Sequence, residues 1–163
     1  MPAVHGDFLA VTTDNAAGNK IDWYLRRSIS YQAALNRQTD QINSTVTLKL
    51  QNLSPSSGLP PVILDPAPGA LTKPGEEELY LSIYSPWQAG AATWNGAPIV
   101  MTDQQELGRF VYSAFVKVPA GTTSTLVLHL SGTWLGGEAY HLGMYQQPVL
   151  FPDSVSTSFR VVQ

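Results

Sequence analysis

The sequence predicts an all-β protein: an antiparallel two-sheet β-sandwich, immunoglobulin-like or related, of about nine or ten strands. Three observations lead there. Short runs of alternating apolar and polar residues recur along the chain, turn residues separate them, and no stretch sustains a convincing helical period. The 163 residues show no internal repeat and no composition break. Residues 7–163 are therefore read as one domain and residues 1–6 as a leading linker.

Composition narrows the function classes. Only 13% of residues are charged, while 13 Gly, 12 Pro and many Ser, Thr, Asn and Gln leave a largely neutral, polar surface. A net charge of −3 with basic residues scattered singly, apart from Arg26-Arg27, argues against nucleic acid, whose phosphates call for grouped Lys and Arg. The absence of cysteine removes disulfides, thiolate nucleophiles and cysteine-ligated zinc. No apolar run approaches the roughly 18–20 residues of a membrane span. The start, Met-Pro-Ala-Val-His-Gly, lacks signal-peptide character, and strand-like residues follow at once, so the chain reads as a segment of something larger.

Taken in order, Phe8 to Val11 is short, apolar and β-compatible, and ends at a loop with two Asn and a Gly, Thr13 to Asn19. Ile21, Trp23 and Leu25 alternate, as do Ile29, Tyr31, Ala33 and Leu35 after a break at Arg26-Arg27-Ser28; the whole stretch reads as extended. A polar turn from Asn36 to Asp40 leads to Ile42, Ser44, Val46, Leu48 and Leu50 on one face, which completes a hairpin. Between Asn52 and Gly75 lie six prolines and three glycines, so this is a long connection that crosses between sheets, with room for a brief strand at Val62-Ile-Leu64. Glu76 to Glu78 reads as a solvated charge run before a strand bearing Leu79, Leu81 and Ile83.

Asn95-Gly96 accepts the positive φ angles of a two-residue type I′ turn and marks another hairpin. Gly108 to Trp134 reads as two long strands folded back on each other through Pro119-Ala-Gly-Thr122. Phe110, Tyr112, Ala114, Val116 and Val118 share one face of the first, and Leu126, Leu128 and Leu130 one face of the second. Phe115, Lys117 and His129 fall on the opposite faces. Strands around Tyr140 to Met144 and from Val155 to Val161 close the chain.

Asn15-Ala-Ala-Gly-Asn-Lys-Ile-Asp22, with Tyr24 and Arg26-Arg27-Ser28-Ile29, resembles the C-terminal region of a domain-of-unknown-function family. That family occurs in large membrane-anchored extracytoplasmic proteins of actinobacteria and related Gram-positive bacteria. The blocks Leu79 to Pro86, Leu107-Gly-Arg109 with Val111-Tyr112 and Phe115, and Leu130-Ser-Gly132 resemble later parts of it, so the resemblance covers nearly the whole chain. It implies an extracellular or cell-surface domain, a membrane helix upstream of this chain, and a link to surface polysaccharide. It carries no catalytic residues with it.

His5, His129 and His141 have no nucleophile elbow or triad spacing around them, and no catalytic residue is expected. Asn15, Gly18, Asn19 and Asp22 place oxygen donors around a glycine without the spacing of a calcium loop; a loop held by its own Asn side chains is the preferred reading, with no metal or cofactor expected. Lys49 and Lys117 are weak isopeptide candidates, and Asn43 and Asn52 open glycosylation sequons. Trp87, Trp94 and Trp134 lie near strand ends, where rings stack on sugars or cap the core; Gln88, Asn95 and Gln104 are the accompanying polar candidates. The expectation is a non-catalytic extracellular interaction or scaffolding module of a cell-envelope protein, its partner a surface polysaccharide or an envelope protein. The alternative is a carbohydrate-binding module using the loop tryptophans.

Overall fold

The structure is a computed structural model that describes residues 6–135, 137 and 139–163; His5 and Gly136 lie outside the described residues. Eleven strands form it: β1 (Asp7–Asn15), β2 (Leu25–Asn36), β3 (Gln41–Asn52), β4 (Glu77–Ser85), β5 (Gln88–Trp94), β6 (Ala97–Pro98), β7 (Thr102–Glu106), β8 (Arg109–Val118), β9 (Thr123–Thr133), β10 (Leu142–Gln146) and β11 (Ser154–Val162). They make a five-stranded sheet, ordered β10-β1-β4-β8-β7, and a six-stranded sheet, ordered β11-β2-β3-β9-β5-β6. The two pack face to face as a β-sandwich. The short β6 and the fully exposed β7 are the strands that alternation does not reveal, because neither has a buried face.

The core lies between the inner faces. Tyr31, Leu48, Leu81, Ile83, Leu126 and Leu128 are each at most 1% exposed. These are the positions that the period of two assigns inward, since alternate side chains on a strand point to opposite faces. β2 and β3 form the expected hairpin, with Leu35 opposite Ile42 and Ile29 opposite Leu48. The Asn36 carboxamide accepts the N–H groups of Gln38 and Thr39 and shapes its turn. Asn95 (φ 52°) and Gly96 (φ 82°) take the left-handed angles of the expected tight turn between β5 and β6.

Four expectations are corrected. β8 and β9 are not a hairpin: β8 pairs with β4 and β7, and β9 with β3 and β5. The turn at Pro119, closed by the Thr122 N–H on the Pro119 carbonyl at 3.2 Å, carries the chain from one sheet to the other. Two strands with one apolar face each satisfy the same alternation whether they lie side by side or face each other across the core. Second, the sandwich is not purely antiparallel, for β10 runs parallel to β1 and β11 parallel to β2. Third, Ile21–Tyr24 is a 3₁₀ turn that buries Ile21 rather than a strand. Fourth, Pro61–Leu64 is a single helical turn with proline at its start, where a missing N–H costs nothing. The long connection containing it does cross from β3 in one sheet to β4 in the other.

Candidate functional site

Of the two readings of the strand-end tryptophans, the structure has Trp87 and Trp134 capping the core. Trp87 is 7% and Trp134 3% exposed. Both indole N–H groups are engaged: that of Trp87 donates to the Asp7 carboxylate at 2.6 Å and that of Trp134 to the Gly137 carbonyl at 2.9 Å. Trp87 packs on Trp134, Trp134 on Tyr140, and Tyr140 stacks on Phe159 at 3.8 Å. A buried ring with a satisfied N–H caps the core and presents no face to a sugar. Trp94 is half-buried against the same core. Asn95 is exposed, but its carboxamide accepts the Thr125 N–H and donates to the Ser124 hydroxyl, which pins the turn to β9. Gln88 lies exposed on β5 and Gln104 on β7. The exposed tryptophan is Trp23, on the 3₁₀ turn.

Asp7 is the hub of this interior network and was not visible as such in the sequence. It is fully buried, and its carboxylate accepts hydrogen bonds from Tyr31, Trp87, Tyr140 and the Phe8 N–H. Burial pushes its pKa up, and those four donors oppose the shift by favouring the charged form. Gly132 is part of the same construction. A Cβ there would lie 2.5 Å from the Trp87 ring, so Gly132→Ala is expected to cost about 1–3 kcal/mol, read as a lower urea midpoint.

A second buried polar group joins the two sheets. Arg27 points inward from β2, and its guanidinium makes a two-pronged bond to Asp153 at 2.8 and 2.6 Å. It also donates to the Thr13 hydroxyl and to the Gln147 side-chain carbonyl. Arg27 falls where the sequence suggested a break between strands.

The loop from Asn15 to Asp22 is tied by its own side chains. The Asn15 amide donates to the Asn19 side-chain oxygen at 3.1 Å and to Asp22 at 3.0 Å, and its carbonyl accepts the Gly18 N–H. Asn19 donates onward to the Glu76 carbonyl. Gly18 holds φ 70°, and a Cβ there would meet Ala67 at 2.9 Å. Among the described residues no group of three or more His, Cys, Asp and Glu side chains is placed to hold a metal ion.

The glutamate run is corrected at one position. Glu77 is fully buried, on the inward face shared with Leu79 and Leu81, and neither carboxylate oxygen has a hydrogen-bond partner among the described residues. Burial, with a smaller contribution from the Asp22 charge, pushes its pKa up to about 8. Asn52 is likewise buried, with its amide donated to the Gly75 and Val118 carbonyls, so that sequon has no free nitrogen for a glycan.

The open site lies elsewhere, on the outward face of the six-stranded sheet. Register sets it out in two rows. Ser158, Gln32, Thr45 and His129 follow one another across β11, β2, β3 and β9, and Arg160, Ala34, Asn43 and Ser131 form the next row. Strands stand about 4.8 Å apart, so each row spans roughly 14 Å. Small Ala34 and side-chain-free Gly90 leave a groove of about 610 Å³ between their larger neighbours. Thr45 and His129 hydrogen-bond each other at 3.1 Å. The side chains of Gln32, Asn43 and Arg160 make no hydrogen bond or ion pair with any described residue.

No protein-family model matches the chain, and no curated protein sequence does. Among solved structures the chain is similar to a Legionella pneumophila protein named as a nutrient-binding candidate (TM-score 0.46, 8% identity, covering 79% of this chain and 44% of that one). It is also similar to an M1 zinc metallopeptidase of Deinococcus radiodurans (TM-score 0.34, 18% identity, covering 67% of this chain and 20% of that one). The chain therefore spans less than half the length of either.

His129 is the one sequence-flagged histidine that enters the groove, and its ring bonds Thr45 rather than a carboxylate. Asn43 was singled out only as a sequon, and Gln32 and Arg160 not at all. Each alternates with core residues and so reads as an ordinary solvent-facing position. Their convergence depends on which strands are neighbours.

Proposed function

We propose that this domain is a non-catalytic interaction module of an extracytoplasmic envelope protein, and that it holds an extended, hydroxyl-rich ligand such as a glycan in the groove across β11, β2, β3 and β9. The observation that supports this reading is the set of unengaged side chains on the groove. Two carboxamides, Gln32 and Asn43, each offer a donor and an acceptor, the pairing that adjacent hydroxyls complement, and neither is used among the described residues. The buried polar groups point the other way: Asp7 and Arg27 are consumed in holding the sheets together. The family resemblance, with its link to surface polysaccharide, agrees with a glycan ligand and a cell-surface location.

Glycan-array screening followed by calorimetric titration tests this. Asn43→Ala and Gln32→Ala are each expected to weaken binding roughly threefold to tenfold, the worth of one or two hydrogen bonds, with an unchanged melting temperature. Glycan binding that ignores both substitutions would place the site elsewhere.

A further inference from the structure

The outward face of the six-stranded sheet carries charge of one sign. Among its outward positions, from Ser154 to Arg160 on β11, Arg26 to Ala34 on β2, Asn43 to Gln51 on β3 and Thr123 to Ser131 on β9, there are Arg26, Lys49, Arg160 and His129 and no Asp or Glu. The chain as a whole is net negative at −3, so this face opposes the average of the molecule. None of the three fixed cations is paired with a carboxylate among the described residues. Arg26 donates to the Trp23 and Leu25 carbonyls and lies over the Phe151 ring at 3.4 Å, which leaves its charge uncompensated.

The cations are distributed along the strands. A second hollow, of about 380 Å³, opens at the other end of the same face and is lined by Arg26, Lys49, Gln51 and Thr123. On β3, Lys49 in that hollow is six residues from Asn43 in the groove, or roughly 20 Å at strand rise. Cations at both ends of such a track, with Ser, Thr and Gln between them, suit a long ligand that carries hydroxyls throughout and negative charge at intervals.

We propose that this face binds an anionic polysaccharide bearing carboxylates, laid along the strands from the Arg160 groove to the Lys49 hollow. The inference rests on the groove being the ligand site and adds the ligand's charge and direction. Charge density separates this occupant from nucleic acid: a duplex carries one negative charge per about 1.7 Å, many more over this length than three fixed cations can answer. The face also has no exposed large apolar side chain among its outward positions, which an anionic membrane surface would require for insertion.

The test is calorimetric titration of the protein with polygalacturonate, a neutral β-glucan, single-stranded DNA and phosphatidylglycerol vesicles. Polygalacturonate is expected to bind best and to weaken as salt is raised, because the charges are solvent-exposed and screened. Arg160→Gln and Lys49→Gln are each expected to weaken it about threefold to fivefold with no change in melting temperature. If the neutral glucan binds as well and the two charge substitutions do nothing, the anionic ligand is overturned while the groove stands. If polygalacturonate binding responds to Lys49→Gln but not to Asn43→Ala, the groove falls and the path along the strands with it. Preference for DNA or vesicles overturns the polysaccharide outright.

Discussion

Asp153→Ala is expected to lower stability by about 3–5 kcal/mol, a large part of the roughly 5–15 kcal/mol that holds a native domain together. The side chains of Arg27 and Asp153 are 2% and 1% exposed, so removing the carboxylate strands a guanidinium away from water. The geometric consequence is also large. Arg27 ties β2 to Thr13 of β1 and to Gln147, while Asp153 immediately precedes β11, which has no other strand neighbour than β2. Urea denaturation gives the loss directly. An Arg27→Met, Asp153→Leu double variant is expected to recover much of it, because a packed apolar pair avoids the uncompensated charge. A cost below about 1 kcal/mol for Asp153→Ala would be the value of an exposed pair and would contradict the burial.

Stability is expected to fall as pH rises from about 4.5 to about 8, and Glu77 is the reason. Its folded pKa lies above its unfolded value, so across that window the unfolded chain releases the proton while the folded chain retains it. The stabilisation is complete below the unfolded value and is lost by the time the pH passes the folded one. At about 1.4 kcal/mol per pKa unit, the loss amounts to at most roughly 5 kcal/mol. Glu77→Gln keeps the shape and cannot ionise. It is therefore expected to flatten the decline, with urea midpoints at pH 5 and pH 9 closer together than in the parent. An equally steep decline in the variant would remove Glu77 as its source. Asp7 adds to the same slope in direction, since burial raises its pKa too, but its four donors restrain the shift.

Glu77 shows where reading along the chain loses information. As one of three consecutive glutamates it looks solvated, and its own neighbours Glu76 and Glu78 are partly exposed. Yet the period of two that buries Leu79 and Leu81 passes through residue 77, and the loop from Asn15 to Asp22 bonds to the carbonyls on either side of it, Asn19 to Glu76 and Ala16 to Glu78. Arg27 was hidden in the same way: its alternation with Ile29 and Tyr31 was present, but a charged residue in an inward position reads as a break until its partner, 126 residues away, is known. The tryptophans were legible only as a pair of alternatives. Their places at strand ends allowed either display or core capping, and a buried carboxylate at Asp7 and a backbone carbonyl at Gly137 decide for capping by satisfying the N–H groups of Trp87 and Trp134.

Fold class, the faces of nearly every long strand, the hairpins at Asn36–Gln41 and Asn95-Gly96 and the crossing between Asn52 and Gly75 were all determined by the sequence alone. They follow from local rules, the period of a pleated strand and the backbone angles a turn residue tolerates. Tertiary structure decided which strands are neighbours: that β8 and β9 lie in different sheets, that β10 and β11 return as parallel edges, and that Gln32, Asn43 and Arg160 line one groove. Long-range pairing costs little more entropy than short-range pairing, because loop closure grows only slowly with length. Sequence distance therefore does not rank the partners. Side-chain packing and polar satisfaction across the sandwich do, and the groove exists only once they have chosen.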